Sequence, residues 1–498
     1  MKKIYQLLFI LSFSLPSLYV SAQYDINIKV DNYESDTLVV GYFHGDKQLV
    51  KDSLVATKPG KFKFSGSDTL VNGLYILLSM PSNEYIQFHV NEGDTRFSIE
   101  YDDKDKTKVK YKGSEYNETF QSYIDLISES RPQAIVLRDT IAALKEMEKD
   151  FSSFQDELNK LDDSVIAEQQ KVYEQDENSV ASLILRSNED IDVPEFEEAE
   201  DPKLERYLYY KKHFFDKADL ANPLMLNTGI LPQKIDTYLS KLTSNHPDSI
   251  NNSLDVLLEK MEPAEETYKY YLSTFLNKYA ATKIIGYDAI YVHLVDKYYS
   301  DGKAPWVSEE NMAKIVDNAT KLRPALIGKI GGDVKVFRED GKTPVSISDI
   351  DYEYLVLLFW APDCGHCTKM MPKFVEFNKN WEGNGIKTFA ICTKLQDKTK
   401  NCWEKIEEKN MLGFINGADT NHTSRFRFKY NVSTTPKVYI LNKEREILMK
   451  NIGSDQLESI MVEILKREKR EDLIPEGIEE KLIKEREMKK AEKKKTEY

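Results

Sequence analysis

The period of the apolar residues changes twice along this 498-residue chain. This change constrains the fold more than any other feature of the sequence. From Tyr24 to about Tyr111, short alternating runs such as DINIKV, TLVVGYF and EYIQFHV are separated by turn residues. Alternation places the apolar side chains on one face of a strand. Several such runs predict a small antiparallel β-sandwich or barrel.

The middle of the chain, from Asn117 to about Lys329, has the period of helices. The segment SINNSLDVLLEKM places five apolar residues on one helical face: Ile250, Leu254, Leu257, Leu258 and Met261. The segment TYKYYLSTFLNKYAATK does the same with a tyrosine-rich set: Tyr268, Tyr271, Leu272, Phe275 and Tyr279. We interpret these tyrosines as core and interface residues rather than as a ligand-stacking box.

From about Gly331 predicted strands alternate with predicted helices, and the last two strands read as a hairpin. This order predicts an α/β layered sheet. The fold class is therefore multidomain: a β-sandwich, an all-α helical domain and a C-terminal α/β domain. The expected boundaries are a signal peptide at 1–22, the sandwich at 23–112, the helical domain at 113–330, the α/β domain at 331–470, and a charged helical or disordered tail at 471–498.

The N-terminus has the pattern of an export signal. Lys2 and Lys3 precede the apolar run LLFILSF, and Val20-Ser21-Ala22 offers a small-residue cleavage site. An uncleaved anchor is the alternative, but the run is short for a membrane span and ends at Pro16. We expect cleavage near Ala22 and no stable membrane insertion afterwards.

Charge and composition exclude other classes. The formal net charge is −14, whereas broad nucleic-acid binding needs a basic surface. We therefore expect no nucleic-acid partner. The hydrophobic fraction of 41% can bury real cores and argues against general disorder.

All four cysteines fall within forty residues: Cys364, Cys367, Cys392 and Cys402. Disulfides that cross-link the whole protein would be spread more widely along the chain, so redox chemistry confined to one domain explains this clustering better. A zinc site needs two further ligands beside the first pair. Cys392 and Cys402 are ten residues apart and lack that form, so no metal is expected, and no cofactor either.

The stretch FWAPDCGHCTKMMP places Cys364 after a buried strand and at the start of a helix. Unpaired N–H groups at a helix N-terminus favour an anion, here a thiolate. Cys364 is therefore the predicted nucleophile, and Cys367, one turn later, the resolving thiol. A protonated His366 would stabilise the thiolate further and make the couple more oxidising.

Residues from about 331 to 466 resemble the exported, TlpA/ResA-like branch of the thioredoxin fold. The resemblance is carried by FWAPDCGHC, by Pro372 five residues after Cys367, and by Thr435-Pro436. It implies a periplasmic protein with a cis Pro436 facing the dithiol. It also implies a structural role for Pro372, a place for Gly365 in the active-site turn, and substrate contacts at Trp360, Thr435 and Pro436. The β-rich start resembles the DUF4369 domain and the helical part the DUF5106 region, as joined in Bacteroidetes.

Two positions depart from these families. Thioredoxins carry a buried acid six residues before the first cysteine, where this chain has Leu358. ResA-like proteins use a glutamate three residues after the second cysteine, where this chain has Met370. The usual proton acceptor is missing at both places.

A loop of the length between Cys392 and Cys402 can close a second disulfide, which we favour over two free thiols.

The leading hypothesis is a periplasmic thiol–disulfide oxidoreductase that acts on exported protein thiols and disulfides and exchanges electrons with an unknown membrane or periplasmic donor. The direction of electron flow stays open. A thiol peroxidase would need a threonine where Ala361 stands. The non-enzymatic alternative is an envelope interaction protein whose dithiol tunes binding. A homodimer through the helical domain is a further expectation.

Overall fold

A computed structural model describes residues 23–496 of the chain. The expected signal peptide, residues 1–22, lies outside the described residues. The chain forms two compact units: one holds the described residues up to Ser244 with Ser253–Tyr271, and the other holds Asn245–Asn252 and the chain from Leu272. Between residues 23 and 496, no helix has both the length and the apolar character needed to cross a membrane.

The N-terminal region forms two four-stranded sheets, with strand orders β4-β1-β7-β8 and β3-β2-β5-β6. The strands are β1 Tyr24–Asp31, β2 Thr37–His44, β3 Lys47–Val55, β4 Lys61–Gly66, β5 Gly73–Ser79, β6 Tyr85–Val90, β7 Ser98–Asp102 and β8 Asp105–Lys112. Alternate residues of β1 are buried, and they join one core with residues of the other sheet. The predicted β-sandwich is confirmed, but it is not wholly antiparallel as predicted, because β1 and β7 pair in parallel. His89 lies in this region, and burial lowers the pKa of its imidazole to about 3, as befits a neutral core residue.

The central region is helical, as predicted. Its helices are α1 Glu115–Glu146, α2 Ser152–Gln175, α3 Val180–Ser187, α4 Pro202–His213, α5 Leu231–Ser240, α6 Pro247–Met261, α7 Glu265–Ala280, α8 Asp288–Leu294 and α9 Glu309–Leu322. All five apolar positions predicted on α6 are buried. The tyrosine-rich face of α7 is also buried, which confirms the core interpretation of those tyrosines.

The C-terminal region is a mixed seven-stranded sheet in the order β10-β9-β13-β12-β11-β14-β15. Its elements are β9 Lys335–Phe337, β10 Pro344–Ser346, β11 Tyr354–Trp360, α10 Gly365–Asn380, β12 Ile386–Cys392, α11 Lys400–Glu408, β13 Ile415–Ala418, α12 Phe426–Lys429, β14 Lys437–Asn442, β15 Ile447–Lys450, α13 Leu457–Arg467 and α14 Ile478–Thr496. The central β11 runs parallel to β12 and antiparallel to β14. The predicted α/β layered sheet of thioredoxin type is confirmed.

Strand β11 is buried at every position because cores cover both faces of the sheet. One face packs against α10, α11 and α13, and the core on the other face includes Phe426 of α12 and Tyr430 and Val432 of the segment that follows it. The carboxyl end of β11 therefore leads directly from the middle of the sheet to the turn that carries the cysteines. Rigid strand and helix neighbours on both sides fix that turn.

Candidate active site

Cys364 is the N-cap residue of α10. Its backbone is extended, and its sulfur accepts a hydrogen bond from the backbone N–H of Cys367, with an N···Sγ distance of 3.2 Å. The first N–H groups of a helix have no partner within the helix, so a sulfur here replaces the usual capping oxygen. The local sequence thus places a nucleophile where the helix offers its free N–H groups.

The cis Thr435–Pro436 peptide faces this sulfur. The Cys364 thiol donates a hydrogen bond to the carbonyl oxygen of Thr435, with an Sγ···O distance of 3.2 Å. Thr435 and Pro436 are half-buried and directly precede β14, the strand next to β11 in the sheet. The structure therefore brings together the predicted dithiol and the predicted loop proline from opposite ends of the domain.

The two thiols have unequal acidities. Burial acts to raise the pKa of the Cys364 thiol, but hydrogen bonds from the thiol and backbone N–H of Cys367, from the side chain of Thr435 and from the backbone N–H of His366 outweigh it, so this pKa lies below its ordinary value. Burial, followed by the hydrogen bond to Cys364, raises the pKa of Cys367 to about 12. Only the thiolate is a strong nucleophile. The arrangement therefore favours attack by Cys364 and protects Cys367.

Accessibility separates the thiols in the same way. Cys364 is partly exposed and Cys367 is 1% exposed. The side chain of His366 and the backbone at Gly365 are also exposed. His366 lowers the Cys364 pKa through its backbone N–H, and the contribution of its imidazolium stays a prediction. A Cβ at Gly365 would meet no atom within 4 Å, so packing alone does not require a glycine there.

A cavity of about 570 Å³ opens beside the dithiol. Its lining includes Asp363, directly before Cys364, and the segment Val432–Thr435. It also includes the basic side chains of Lys394, Lys398 and Arg427. Asp363 and Lys394 form an ion pair at 2.6 Å. This cavity, which we call the dithiol cavity, could receive a polypeptide that presents a disulfide to Cys364.

Lys394, Lys398 and Arg427 were not predicted from the sequence as residues of the site. A usable signal was present, because the carboxyl ends of neighbouring parallel strands meet at one edge of a sheet, where ligands bind in open α/β folds. Strand β12 ends at Cys392 beside the end of β11, and the basic run that contains Lys394 and Lys398 follows it. Arg427 lies on α12 and carried no comparable signal.

Family models match three parts of the chain. Residues 24–120 match the domain of unknown function DUF4369, and residues 164–324 match DUF5106. Residues 327–449, which contain the dithiol and the cis proline, match the AhpC/TSA family. The C-terminal domain belongs to the AhpC/TSA family. Its thioredoxin-like fold and its two N-terminal neighbours agree with the expected domain combination, and the match supports a redox protein.

Three solved structures illustrate the similarity. A domain of a suggested thiol-disulfide isomerase from Cytophaga hutchinsonii is 28% identical, with 29% of this chain and 97% of that chain covered and a TM-score of 0.28. A thioredoxin-like protein from Bacteroides caccae is 15% identical, with 55% and 98% covered and a TM-score of 0.41. The thioredoxin domain of a thiol-disulfide oxidoreductase from Bacteroides vulgatus is 17% identical, with 28% and 96% covered and a TM-score of 0.26. No curated protein matched the chain.

The AhpC/TSA domain surrounds Cys367 with apolar side chains. Leu358 is 1% exposed and lies in the same core cluster as Cys367, and Met370 packs against that cluster. These are the two positions where related families carry an acid. Their replacement by apolar residues agrees with the raised pKa of Cys367, because burial disfavours the thiolate.

Trp360 belongs to this core as well. It is 2% exposed, and its indole nitrogen has no hydrogen-bond partner among the described residues. Its burial places it behind the dithiol rather than at the surface expected for substrate contact. Pro372 lies inside α10, as the resemblance implies, and is exposed.

The other two cysteines form a disulfide in the structure. Cys392 ends β12 and Cys402 lies in the first turn of α11. Both have no exposed surface, and both lie in the core cluster that contains Cys367. The disulfide therefore ties α11 to the carboxyl end of the sheet, where the loop with Lys394 and Lys398 leaves it.

Proposed function

We propose that this protein is a periplasmic thiol–disulfide oxidoreductase that exchanges disulfides with exported proteins. The observation that carries the proposal is the unequal pair of thiols. Cys364 is accessible and has a lowered pKa, whereas Cys367 is buried and has a pKa of about 12. Such asymmetry suits a two-step exchange in which one thiol attacks and the other resolves.

In the reducing direction, the Cys364 thiolate attacks one sulfur of a substrate disulfide. The Cys364–substrate S–S bond forms, the substrate S–S bond breaks, and the departing substrate thiolate takes up a proton. Cys367 then loses its proton and attacks Cys364, which forms the Cys364–Cys367 disulfide and releases the second substrate thiol. The substrate gains two electrons and the dithiol loses two. The oxidising direction is the reverse of these steps.

Turnover needs a second exchange with another thiol or disulfide. We propose a membrane-bound or periplasmic protein dithiol as that donor, because the export pattern at Lys2, Lys3 and Ala22 directs the chain out of the cytoplasm. A fusion of residues 1–40 to a reporter that is active only after export tests this location. A reporter that stays inactive and cytoplasmic contradicts it.

The experiment that tests the activity compares wild type with Cys364→Ser and Cys367→Ser. The assays are reduction of insulin by dithiothreitol and reactivation of scrambled ribonuclease. We expect wild-type activity in at least one assay and its loss in both variants. Cys367→Ser should also accumulate a mixed disulfide with substrate, because its attacking thiol is intact and the resolving thiol is absent.

The competing interpretation is a non-enzymatic interaction protein. It predicts no activity above Cys364→Ser in either assay. A peroxidase is disfavoured because Ala361, which is 6% exposed, stands where those enzymes need a threonine hydroxyl.

Light scattering of the purified protein tests whether the chain forms the homodimer expected through its helical region. Exposed apolar residues on α1 and α2, such as Val136 and Ile166, support it.

A further inference from the structure

A second cavity, of about 700 Å³, adjoins the segment that precedes the cis proline. Ser433 lines both this cavity and the dithiol cavity. Ser433 is exposed and stands two residues before Thr435, whose carbonyl oxygen faces Cys364. Two extended residues span at most about 7 Å. A polypeptide bound at the dithiol therefore needs only a few more residues to reach the second cavity.

The far wall of this cavity comes from the helical region rather than from the thioredoxin-type sheet. It includes Thr282–Gly286, the loop between α7 and α8, which we call the rim loop. Ile284 is 58% exposed and Ile285 is 37% exposed. Gly286 has a φ of +89°, a conformation that a glycine adopts without strain. Two adjacent exposed isoleucines beside a cavity of ligand size provide an apolar contact surface.

The start of α8, two residues after the rim loop, is fixed to the sheet by an ion pair whose lysine is buried. Lys450, the last residue of β15, pairs with Asp288, the first residue of α8, and donates to the carbonyl oxygen of Ala325 at 2.7 Å. The Lys450 side chain is 4% exposed. A wall held in this way is pre-organised, which reduces the entropy lost on binding.

Basic side chains outnumber acidic side chains in the lining of each cavity. The dithiol cavity has three basic and two acidic side chains, with Lys394 paired to Asp363. The second cavity has Lys283 and Lys321 against Asp288, and Lys321 also pairs with Asp317 outside the cavity lining. Asp288 is already neutralised by Lys450. The whole chain carries a net charge of −14, so this basic excess runs against its overall charge. It complements an acidic partner.

We propose that the second cavity binds an extended segment of the substrate polypeptide, acidic and partly apolar, that flanks the disulfide presented to Cys364. This inference rests on the function proposed above and assigns substrate selection to the helical region. The amide side chains of Asn318, Asn431 and Asn451 line the same cavity. They offer hydrogen bonds to an extended backbone, which has no internal partners.

Two kinds of disulfide substrate test the proposal, with dithiothreitol as the electron donor that reduces the Cys364–Cys367 disulfide after each turnover. Hydroxyethyl disulfide has no peptide to place in the second cavity. A set of peptides with one disulfide carries four-residue extensions, either acidic-apolar or basic-polar, before or after the disulfide. The variants are Ile284→Asp with Ile285→Asp, and Lys283→Glu with Lys321→Glu. Matched controls are Leu412→Asp, at a 73% exposed leucine outside both cavities, and Lys484→Glu on α14.

For wild type, we expect an acidic-apolar extension on one side of the disulfide to raise kcat/KM by about tenfold over the basic-polar extension, mainly through KM. Both cavity variants should lose most of this preference, and both controls should keep it. All variants should turn over hydroxyethyl disulfide at the wild-type rate. Added salt should weaken the preference of wild type, because part of it is electrostatic.

Failure of this inference can be told apart from failure of the proposed function. If wild type turns over neither hydroxyethyl disulfide nor any peptide disulfide above the Cys364→Ser background, the oxidoreductase function is wrong. If wild type turns over the peptides but prefers neither extension on either side, the assignment of the second cavity is overturned. A preference that persists in both cavity variants also overturns it.

Discussion

The sulfur of Cys364 lies 3.2 Å from the carbonyl oxygen of Thr435, although 71 residues separate them in the chain. The contact joins the two parts of the site that the sequence motifs point to separately. It exists because β14, which begins at Lys437, pairs directly with β11. The attacking sulfur and the loop that faces it are thus set by adjacent strands of one sheet.

Leu358 offers a test of how Cys367 loses its proton. Replacing Leu358 by Asp places a carboxyl group in the core that contains Cys367, where a buried acid has a raised pKa and can accept a proton. We expect the mixed disulfide to resolve faster and the melting temperature to fall, because burying a polar group is costly. Quenched-flow mass spectrometry measures the resolving rate. Leu358→Asn is the matched control, because it adds polarity without a carboxylate that can accept the proton. Equal rates of mixed-disulfide resolution in the two variants would show that proton transfer from Cys367 does not limit that resolution.

The Cys392–Cys402 disulfide should stabilise the domain. Its loop of ten residues predicts a loss of about 2–3 kcal/mol in the free energy of unfolding when both cysteines become alanine. Urea unfolding of the double variant under non-reducing conditions measures this. Peptide mapping of the wild type should find Cys392 joined to Cys402. Recovery of both as free thiols from oxidised protein would refute the pairing.

The ion pair between Asp288 and Lys450 should be costly to break from either side. Asp288→Asn leaves a buried ammonium without a counter-ion, which is expected to cost about 3–5 kcal/mol of unfolding free energy. Burial already acts to lower the pKa of Lys450, and Asp288 opposes that effect. The double variant Asp288→Leu with Lys450→Met should recover much of the loss, because it removes both charges. A single variant as stable as wild type in urea would show that the pair carries no such energy.

The reduction potential should lie above the value of about −270 mV known for thioredoxin. The reason is that groups lowering the Cys364 pKa stabilise the reduced form. The His366 side chain is exposed, so solvent screens the attraction between an imidazolium at this position and the Cys364 thiolate. His366→Ala should therefore lower the reduction potential by only about 10–20 mV. Equilibration with glutathione, read by thiol alkylation, measures both values. A wild-type potential at or below that of thioredoxin is incompatible with this expectation.

Much of the fold could be predicted from the spacing of apolar residues, but two strands of the N-terminal sheets could not. Strands β3 and β8 lie at sheet edges and expose most of their residues. Edge strands are often charged, which discourages pairing with other chains, so their alternation is weak. The short β13 was missed for another reason. A Cβ at its Gly417 would lie 2.4 Å from Val336, so close packing demands a residue with little strand propensity.

Part of the candidate site could likewise be predicted from the sequence, and part could not. The placement of Cys364 and Cys367 was predictable from local chain geometry, and that of Thr435 and Pro436 from the family resemblance. The two cavities were not, because loops far apart in the sequence form their walls. Ile284 and Ser433, for example, line one cavity at a separation that no local pattern reports.

The thiolate titration of Cys364 tests the central claim most directly. Because its pKa lies below the ordinary value, the thiolate fraction and the alkylation rate should rise at lower pH than the ~8.5 of a free cysteine. Iodoacetamide labelling across pH, with each site resolved by mass spectrometry, should show Cys364 reacting first. Cys367, with a pKa of about 12, should stay unlabelled throughout that transition. Labelling of Cys367 before Cys364, or a Cys364 transition at or above ~8.5, would contradict the account.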